Sequence, residues 1–171
     1  MIRTLLLAIL LALGLSACGF HLRDALVLPD DMGQVRITAR DPYSPLAQSL
    51  ARALERAGAQ VVEPGTKGRL ATLAIRSERW ASTPLSIDQF GRAQEYTLRY
   101  AVVFALVDAN GDELVPQQAV ELSRDYIRVP TDLTGSDSER ELLARELENE
   151  MSASILRRID AATRELREAA Q

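Results

Sequence analysis

The side chain with the most distinctive chemistry in this sequence is Cys18, which carries the only thiol. A single thiol cannot form a disulfide within the chain, so it needs another use. Cys18 follows a positively charged start and an almost unbroken apolar run from Leu5 to Leu15. That order is typical of a secretory signal peptide, because the run is shorter than the ~20 residues that span a bilayer. We therefore expect an exported chain.

The residues around the expected cleavage point indicate what happens to this thiol. Leu15-Ser16-Ala17-Cys18 resembles the bacterial lipobox, in which small residues let a peptidase reach the backbone and the cysteine sulfur carries a diacylglycerol. We expect residues 1–17 to be removed and Cys18 to become an N-palmitoyl, S-diacylglycerol cysteine. Two or more acyl chains anchor a protein stably, at ~0.8 kcal/mol per buried methylene. The alternative is an ordinary signal peptide followed by a free or disulfide-linked cysteine.

The residue after Cys18 bears on the destination of the chain. It is Gly19, and not the Asp that resembles the inner-membrane retention signal of enteric bacteria. The absence of Asp favours the periplasmic face of the outer membrane.

Other residue types that perform chemistry are sparse. His21 is the only histidine and lies three residues from Cys18, and no His/Cys cluster has metal-ligand spacing. Gly65 to Gly68 lacks the spacing of a phosphate-binding loop. Glu63, Glu78 and Glu95 are candidate acids or bases, but nothing in the sequence pairs them. The sequence therefore predicts no catalytic residue, no metal and no cofactor, with a carboxylate hydrolase acting on cell-wall glycan as an alternative.

The overall charge limits the partners. The chain has 20 basic and 24 acidic residues, a net charge of −4 that becomes −5 once Arg3 is removed. A nucleic-acid-binding domain would present a basic face, so that class is disfavoured. Residues 18–171 are long enough for one domain with a real core.

Periodicity and turn residues place the elements around these groups. Ser44 and Pro45 suit the N-cap and first position of a helix that ends before Gly58. Asn110-Gly111 predicts a hairpin turn with positive φ. A long C-terminal helix follows a capping-box pattern at Ser138 to Glu141. It carries one apolar stripe, predicted to be buried: Leu143, Leu147, Met151, Ile155, Ile159, Ala162 and Leu166. Alternating residues predict four strands: Val35 to Ala39, Leu70 to Trp80, Ala93 to Val107, and Glu113 to Arg128.

This order predicts an α+β two-layer sandwich, with two helices packed on one face of a four-stranded mixed sheet. We expect a lipidated tether over residues 18–32 and a single domain over residues 33–171. Polar loops are expected at Ala81 to Arg92 and Arg128 to Asp137. Trp80, Phe90 and Tyr126 lie near predicted strand ends, where they are either interface anchors or packing residues.

Several segments together resemble one known family. Cys18-Gly19-Phe20-His21-Leu22-Arg23 is similar to the mature N-terminus of the LPS-assembly lipoproteins, the LptE or RlpB family. Asp41 to Ala57 resembles that family's first loop and helix. The long final helix matches in place and length, so the resemblance covers essentially the whole mature chain. Two strand segments add to it: Gln94-Glu95-Tyr96, and Ser123-Arg124-Asp125-Tyr126.

The resemblance implies a specific function. Members of this family sit as a plug inside the LptD β-barrel of the outer membrane, and together they place lipopolysaccharide in the outer leaflet. Members have two helices on a four-stranded sheet and contact lipopolysaccharide through basic residues on loops at one end of the sheet. Arg92 and Arg128 are the basic residues nearest those loops here, and guanidinium groups bind phosphate bidentately. The alternative for both residues is that each is a solvent-exposed charge at the end of a strand, with no ligand.

A second interpretation of the same features is a different envelope lipoprotein with a similar small domain. A transport-auxiliary lipoprotein of another lipid-export system would share the anchor and the α+β body. The two interpretations differ in their partner, which is an outer-membrane barrel in the first and an inner-membrane transporter in the second.

Overall fold

The computed structural model describes residues 33–87, 89, 93–128 and 133–169. Cys18, His21, Phe90 and Arg92, together with the expected signal peptide and tether, lie outside the described residues. No described helix has the combined length and apolar character needed to cross a membrane. The elements are β1 (Gln34–Thr38), α1 (Pro45–Arg56), β2 (Gln60–Val62), β3 (Ala71–Ile87), β4 (Ala93–Val107), β5 (Glu113–Ile127) and α2 (Leu133–Ala169).

The described strands form one five-stranded mixed sheet in the order β2-β1-β3-β4-β5. β1 pairs in parallel with both β2 and β3, whereas β4 is antiparallel to β3 and β5. The expected α+β class is therefore confirmed, but the expected four strands are wrong by one. The additional strand is β2, in which Val61 and Val62 pair with Val35 and Arg36. Its three residues are too few to show a period, so it exists because β1 offers a backbone to pair with.

Both helices pack on the same face of the sheet, which we call the helix side. On β4, the residues Leu98 to Leu106 at every second position are buried on this side. α2 contributes Leu147, Met151, Ile155 and Ile159, each completely buried. The hydroxyl of Ser49 on α1 donates to that of Ser152 on α2 over 3.0 Å, which joins the two helices. The predicted alternation of β4 is thus confirmed. The predicted stripe of α2 is confirmed from Leu147 to Ile159, whereas Leu166 is exposed.

A β-bulge changes which side chains of β3 face the helices. The register shifts between Ile75 and Ser77, so Arg76 is an extra residue. Before the bulge, Ile75 lies opposite the buried Phe104; after it, Glu78 and Trp80 lie on the helix side, opposite Val102 and Tyr100.

The predicted end of this strand at Trp80 is wrong, because β3 continues to Ile87. The segment from Ala81 onward was expected to be a loop, yet it pairs with β4 as far as Ile87 and Ala93. The side chains from Ala81 to Leu85 are exposed, so the segment needs no apolar alternation. Hydrogen bonding to β4, rather than apolar alternation, makes it a strand.

The start of the second long helix also differs from the prediction. α2 begins at Leu133, so Ser138 is an interior residue and not the N-cap. The expected loop to Asp137 is correspondingly short. Ser136, in the first turns of α2, is buried and lies beside the far end of the sheet. Tertiary packing of these first turns outweighs the local capping preference of Ser138.

The long elements reach far beyond the short ones. β3, β4 and β5 have 17, 15 and 15 residues, or about 50 Å at ~3.3 Å per residue. α2 has 37 residues, about 55 Å, so it follows these strands along their length. The end at Ile87, Ala93 and Ile127 is called the distal end below. At the opposite end, Gly111 alone in the β4–β5 turn takes a positive φ, of 96°.

The two serines considered as N-caps should respond differently to alanine. The Ser44 hydroxyl oxygen accepts a hydrogen bond from the Ala47 backbone N–H at 3.2 Å, and Ser44 is buried. We expect Ser44→Ala to lower the free energy of unfolding by about 1 kcal/mol. Ser138→Ala should leave it unchanged or raise it by a few tenths, because alanine is the better residue inside a helix. Urea unfolding of both variants checks this, and equal losses would contradict the assigned start of α2.

Candidate functional site

A polar pocket of about 340 Å³ lies at the distal end, between the ends of the long strands and the first turns of α2. The strands supply its floor, and α2 supplies one wall. The two polar loops expected from the sequence, Ala81 to Arg92 and Arg128 to Asp137, were placed at this end of the sheet. The residues that line it are Ser82, Tyr96, Tyr126, Arg128, Ser136, Asp137 and Arg140.

Two tyrosines form the floor of the pocket. Tyr96 and Tyr126 are directly opposite each other on β4 and β5. Their rings stack with centroids 5.6 Å apart and an interplanar angle of 24°. The hydroxyl groups of Tyr126 and Ser82 share a hydrogen bond of 3.0 Å, and only 7% of Tyr126 is exposed. The Tyr126 ring is therefore held both by its neighbour on β4 and by β3.

Arg128 is held at the pocket by its backbone. It follows the last residue of β5, and its N–H donates to the Gln94 carbonyl at 2.8 Å, which continues the β4–β5 pairing. Arg140 reaches the pocket from α2. Within the described part of the chain, neither guanidinium has an ion pair or a side-chain hydrogen bond. Both are therefore available to a ligand.

The electrostatics favour an anionic ligand. Two guanidinium groups, which stay protonated in proteins, face one carboxylate, that of Asp137. Each guanidinium can bind a phosphate or carboxylate through two parallel hydrogen bonds. The serine and tyrosine hydroxyls add donors and acceptors for sugar hydroxyls. The pocket is suited to an anionic ligand rich in hydroxyl groups.

The structure brings together only part of the predicted site. Arg128 lines the pocket, and its contact with lipopolysaccharide stays a prediction, whereas Arg92 lies outside the described residues. Arg140 was missed because it was assigned to a capping box. Its distance of seven residues from the buried Leu147 places it on the same helix face, and that spacing could have identified it.

The three carboxylates singled out in the sequence are not brought together. Glu63 and Glu95 are exposed. Glu78 accepts a hydrogen bond from the Tyr100 hydroxyl at 2.7 Å, and it lies close enough to Glu148 on α2 for their charges to interact. The described residues contain no group of three or more side chains suited to a metal.

The aromatic residues considered as interface anchors also have different surroundings. Trp80 stacks on Tyr100 with ring centroids 3.9 Å apart, but remains 38% exposed. Tyr126 is a packing residue of the pocket floor.

Glu148 is the carboxylate whose ionisation is most affected by its surroundings. Burial first, and then the charge of Glu78, raise its pKa above the ordinary 4.5, although Arg145 acts in the opposite direction. A carboxyl whose pKa is higher in the folded than in the unfolded state destabilises the fold once it ionises. This penalty is absent below the unfolded-state pKa and develops as the pH rises through the folded-state pKa.

Replacing Glu148 should therefore stabilise the protein at neutral pH. We expect Glu148→Gln to raise the free energy of unfolding at pH 7, and the gain to disappear below the ordinary glutamate pKa. Denaturant unfolding across this pH range measures it. Glu146→Gln, which removes an exposed carboxylate from the same helix, is the control. A gain independent of pH, or one shared by the control, would contradict the electrostatic cause.

The fold and the pocket define the class: a small two-layer α+β protein with an open, arginine-flanked pocket. The sequence profile of the LptE family, described as lipopolysaccharide-assembly, matches residues 32–159. The chain belongs to this family. The family is non-enzymatic, which agrees with the predicted lack of a catalytic residue.

Individual relatives agree with this assignment. The LPS-assembly lipoprotein LptE of Photorhabdus laumondii is 28% identical over 158 residues, covering 92% of this chain and 85% of its own. That of Pectobacterium atrosepticum is 25% identical over 153 residues, covering 90% and 80%.

Solved structures share the fold. Lipoprotein B of Nitrosomonas europaea has a TM-score of 0.68 at 28% identity, covering 85% of this chain and 92% of its own. The rare lipoprotein B of Shewanella oneidensis has a TM-score of 0.67 at 22% identity, covering 79% and 99%. The second likeness concerns the fold alone.

Proposed function

We propose that this protein is an outer-membrane lipoprotein that plugs the LptD β-barrel, assists its assembly, and contacts lipopolysaccharide as the pair delivers it to the outer leaflet. The observation that carries the lipopolysaccharide contact is the distal pocket, in which the guanidinium groups of Arg128 and Arg140 have no ion pair within the described residues. Lipopolysaccharide combines phosphate groups with sugar hydroxyls, and the pocket offers groups that suit both. Membership of a lipopolysaccharide-assembly family supports the same ligand.

The face of the sheet opposite the helices supports the plug. Barrel lumens are polar, so a domain inside one needs polar outer surfaces. On this outer face Arg99 forms an ion pair with Glu121 over 3.0 Å, with both side chains about half exposed. Thr97 donates to Asp125 at 2.7 Å. Ser123 lies opposite Arg99 and Ala101 lies opposite Glu121, so short side chains alternate with the charged ones on this face.

The anchor completes the proposal. Acylation of Cys18 would hold the domain beside its barrel, which raises the effective concentration of one partner for the other. Removal of residues 1–17 and lipidation of Cys18 are proposed from the lipobox pattern, and the outer membrane is proposed from Gly19 and from the family.

The pocket is tested by charge reversal in the purified domain without its lipid. Arg128→Glu with Arg140→Glu should weaken lipopolysaccharide binding about tenfold or more, because each variant replaces an attractive contact by a repulsive one. Arg92→Glu, measured separately, tests the second sequence-predicted residue. Arg52→Glu with Arg157→Glu changes the net charge equally on exposed helix surfaces and is the matched control. Equal binding by the pocket variant and the wild type would remove the pocket from the proposal.

The partner and the anchor are tested in cells. Affinity purification from detergent-solubilised membranes should yield a large β-barrel at equal stoichiometry, and mass spectrometry should find acyl chains on Cys18. Cys18→Ser should lose the acyl chains and leave the membrane fraction. Recovery of inner-membrane transporter components would instead indicate a transport-auxiliary lipoprotein, and an unmodified thiol at the mature N-terminus would overturn the anchor.

A further inference from the structure

Beyond this function, we propose that the free edge of β3, from Ser77 to Thr83, accepts an extended segment of a partner polypeptide as an added strand. We call these seven residues the β3 edge. The segment carries an arginine or lysine on the helix side, opposite Glu78 and Trp80. The proposal concerns a protein partner and does not depend on the lipopolysaccharide pocket.

The edge is free because β1 is much shorter than β3. β1 pairs only with Ala71 to Ala74, whereas β3 continues to Ile87. β4 occupies one side of β3 along this length. On the other side, no strand among the described residues pairs with β3 beyond Ala74. An unpaired strand edge presents a row of N–H and C=O groups, which is the template used in β-strand addition.

Two irregularities set the limits of the edge. One register shift lies between Ile75 and Ser77, and the next between Pro84 and Ser86. Bulges disrupt the regular spacing of backbone groups, and Pro84 has no N–H to donate. Between them, the pairing with β4 is regular from Ser77 to Thr83. Seven regular residues are within the usual length of a strand.

The side chains beside the edge specify the chemistry of the partner. Trp80 has one ring face against Tyr100 and is still 38% exposed, so indole surface remains for a contact. Glu78 lies on the same side of the sheet, and Glu148 of α2 is close enough for the two charges to interact. Arg145, whose positive charge acts on Glu148, is already paired with Glu141 over 3.6 Å.

A basic side chain of the partner suits an exposed indole ring beside two carboxylates. Guanidinium and ammonium groups bind the faces of indole rings and pair with carboxylates. A cation there would relieve the repulsion between Glu78 and Glu148. A second copy of this chain fits less well, because antiparallel pairing centred on Trp80 would place Ser82 opposite Glu78 and supply no cation.

The test uses the mature chain and a synthetic probe. The probe is an end-blocked peptide of alternating threonine and valine with one central arginine. Trp80 is the only tryptophan, so its fluorescence reports binding directly. We expect a saturable change below about 1 mM peptide, and slower hydrogen exchange at Ser77 to Thr83. A matched peptide with glutamate in place of arginine should bind about tenfold more weakly.

Methylated peptides separate strand addition from simple side-chain contact. N-methyl groups on the amides of one peptide edge should abolish binding, whereas the same number on the other edge should leave it intact, because an added strand uses one edge only. Glu78→Gln should reduce the preference for arginine over glutamate. Glu121→Gln, a control on the outer face, should not.

Four outcomes would overturn the proposal. Equal binding of both methylated peptides would exclude strand addition, and the absence of a fluorescence change at about 1 mM would exclude the site. Strong exchange protection of the β3 edge in the free monomer would assign it to residues 18–32 of the same chain. Protection that appears only with dimer formation would assign it to a second copy.

Discussion

The packing of one face of β4 against α2 is the interaction on which the rest of this structure depends. Tyr100, Val102 and Phe104 are completely buried, and they face the apolar stripe of α2. Each side chain of this size contributes about 1.5–3 kcal/mol when it is fully buried. Because β4 is hydrogen-bonded to β3 on one side and β5 on the other, its position fixes both long hairpins. The packing of β4 against α2 also positions the pocket. It places the two tyrosines of the floor, the backbone contact of Arg128, and Arg140 on the first turns of α2.

One extra residue divides the domain into two halves with different properties. Up to the bulge at Arg76, β3 presents apolar side chains such as Ile75 to the core; beyond it, the same side presents Glu78 and Trp80. The first half has both neighbouring strands and a closed core. The second half lacks β1 and α1, and it carries the pocket, the exposed indole and the β3 edge. The closed core therefore lies in one half of the long strands, and the two proposed binding surfaces lie in the other half.

The sequence predicted those parts whose signal is local. The alternation of β4, the cap at Ser44 and the α2 stripe through Leu147 each arise within one element, and all appear in the structure. Three features were not predicted: the end of β3, the existence of β2 and the start of α2. They depend on contacts between segments that are distant in sequence, and the periodicity of one segment carries no information about such contacts. In the pocket, Arg128 was singled out because the family resemblance implies basic residues on loops at one end of the sheet. Arg140 became evident only when the first turns of α2 were found against the distal end.

The lengths of the long strands also determine how far the pocket lies from the point where the chain enters the domain. β1 starts at Gln34, beside Ala71 at the beginning of β3, whereas the pocket is at the other end of β3. For a chain acylated at Cys18, the residues leading from the lipid would enter the domain beside Ala71, and Ser82 at the pocket lies about 35 Å further along β3. That separation exceeds the ~30 Å hydrocarbon thickness of a bilayer. Under the proposed anchoring, the folded body would act as a spacer between the acylated N-terminus and the pocket.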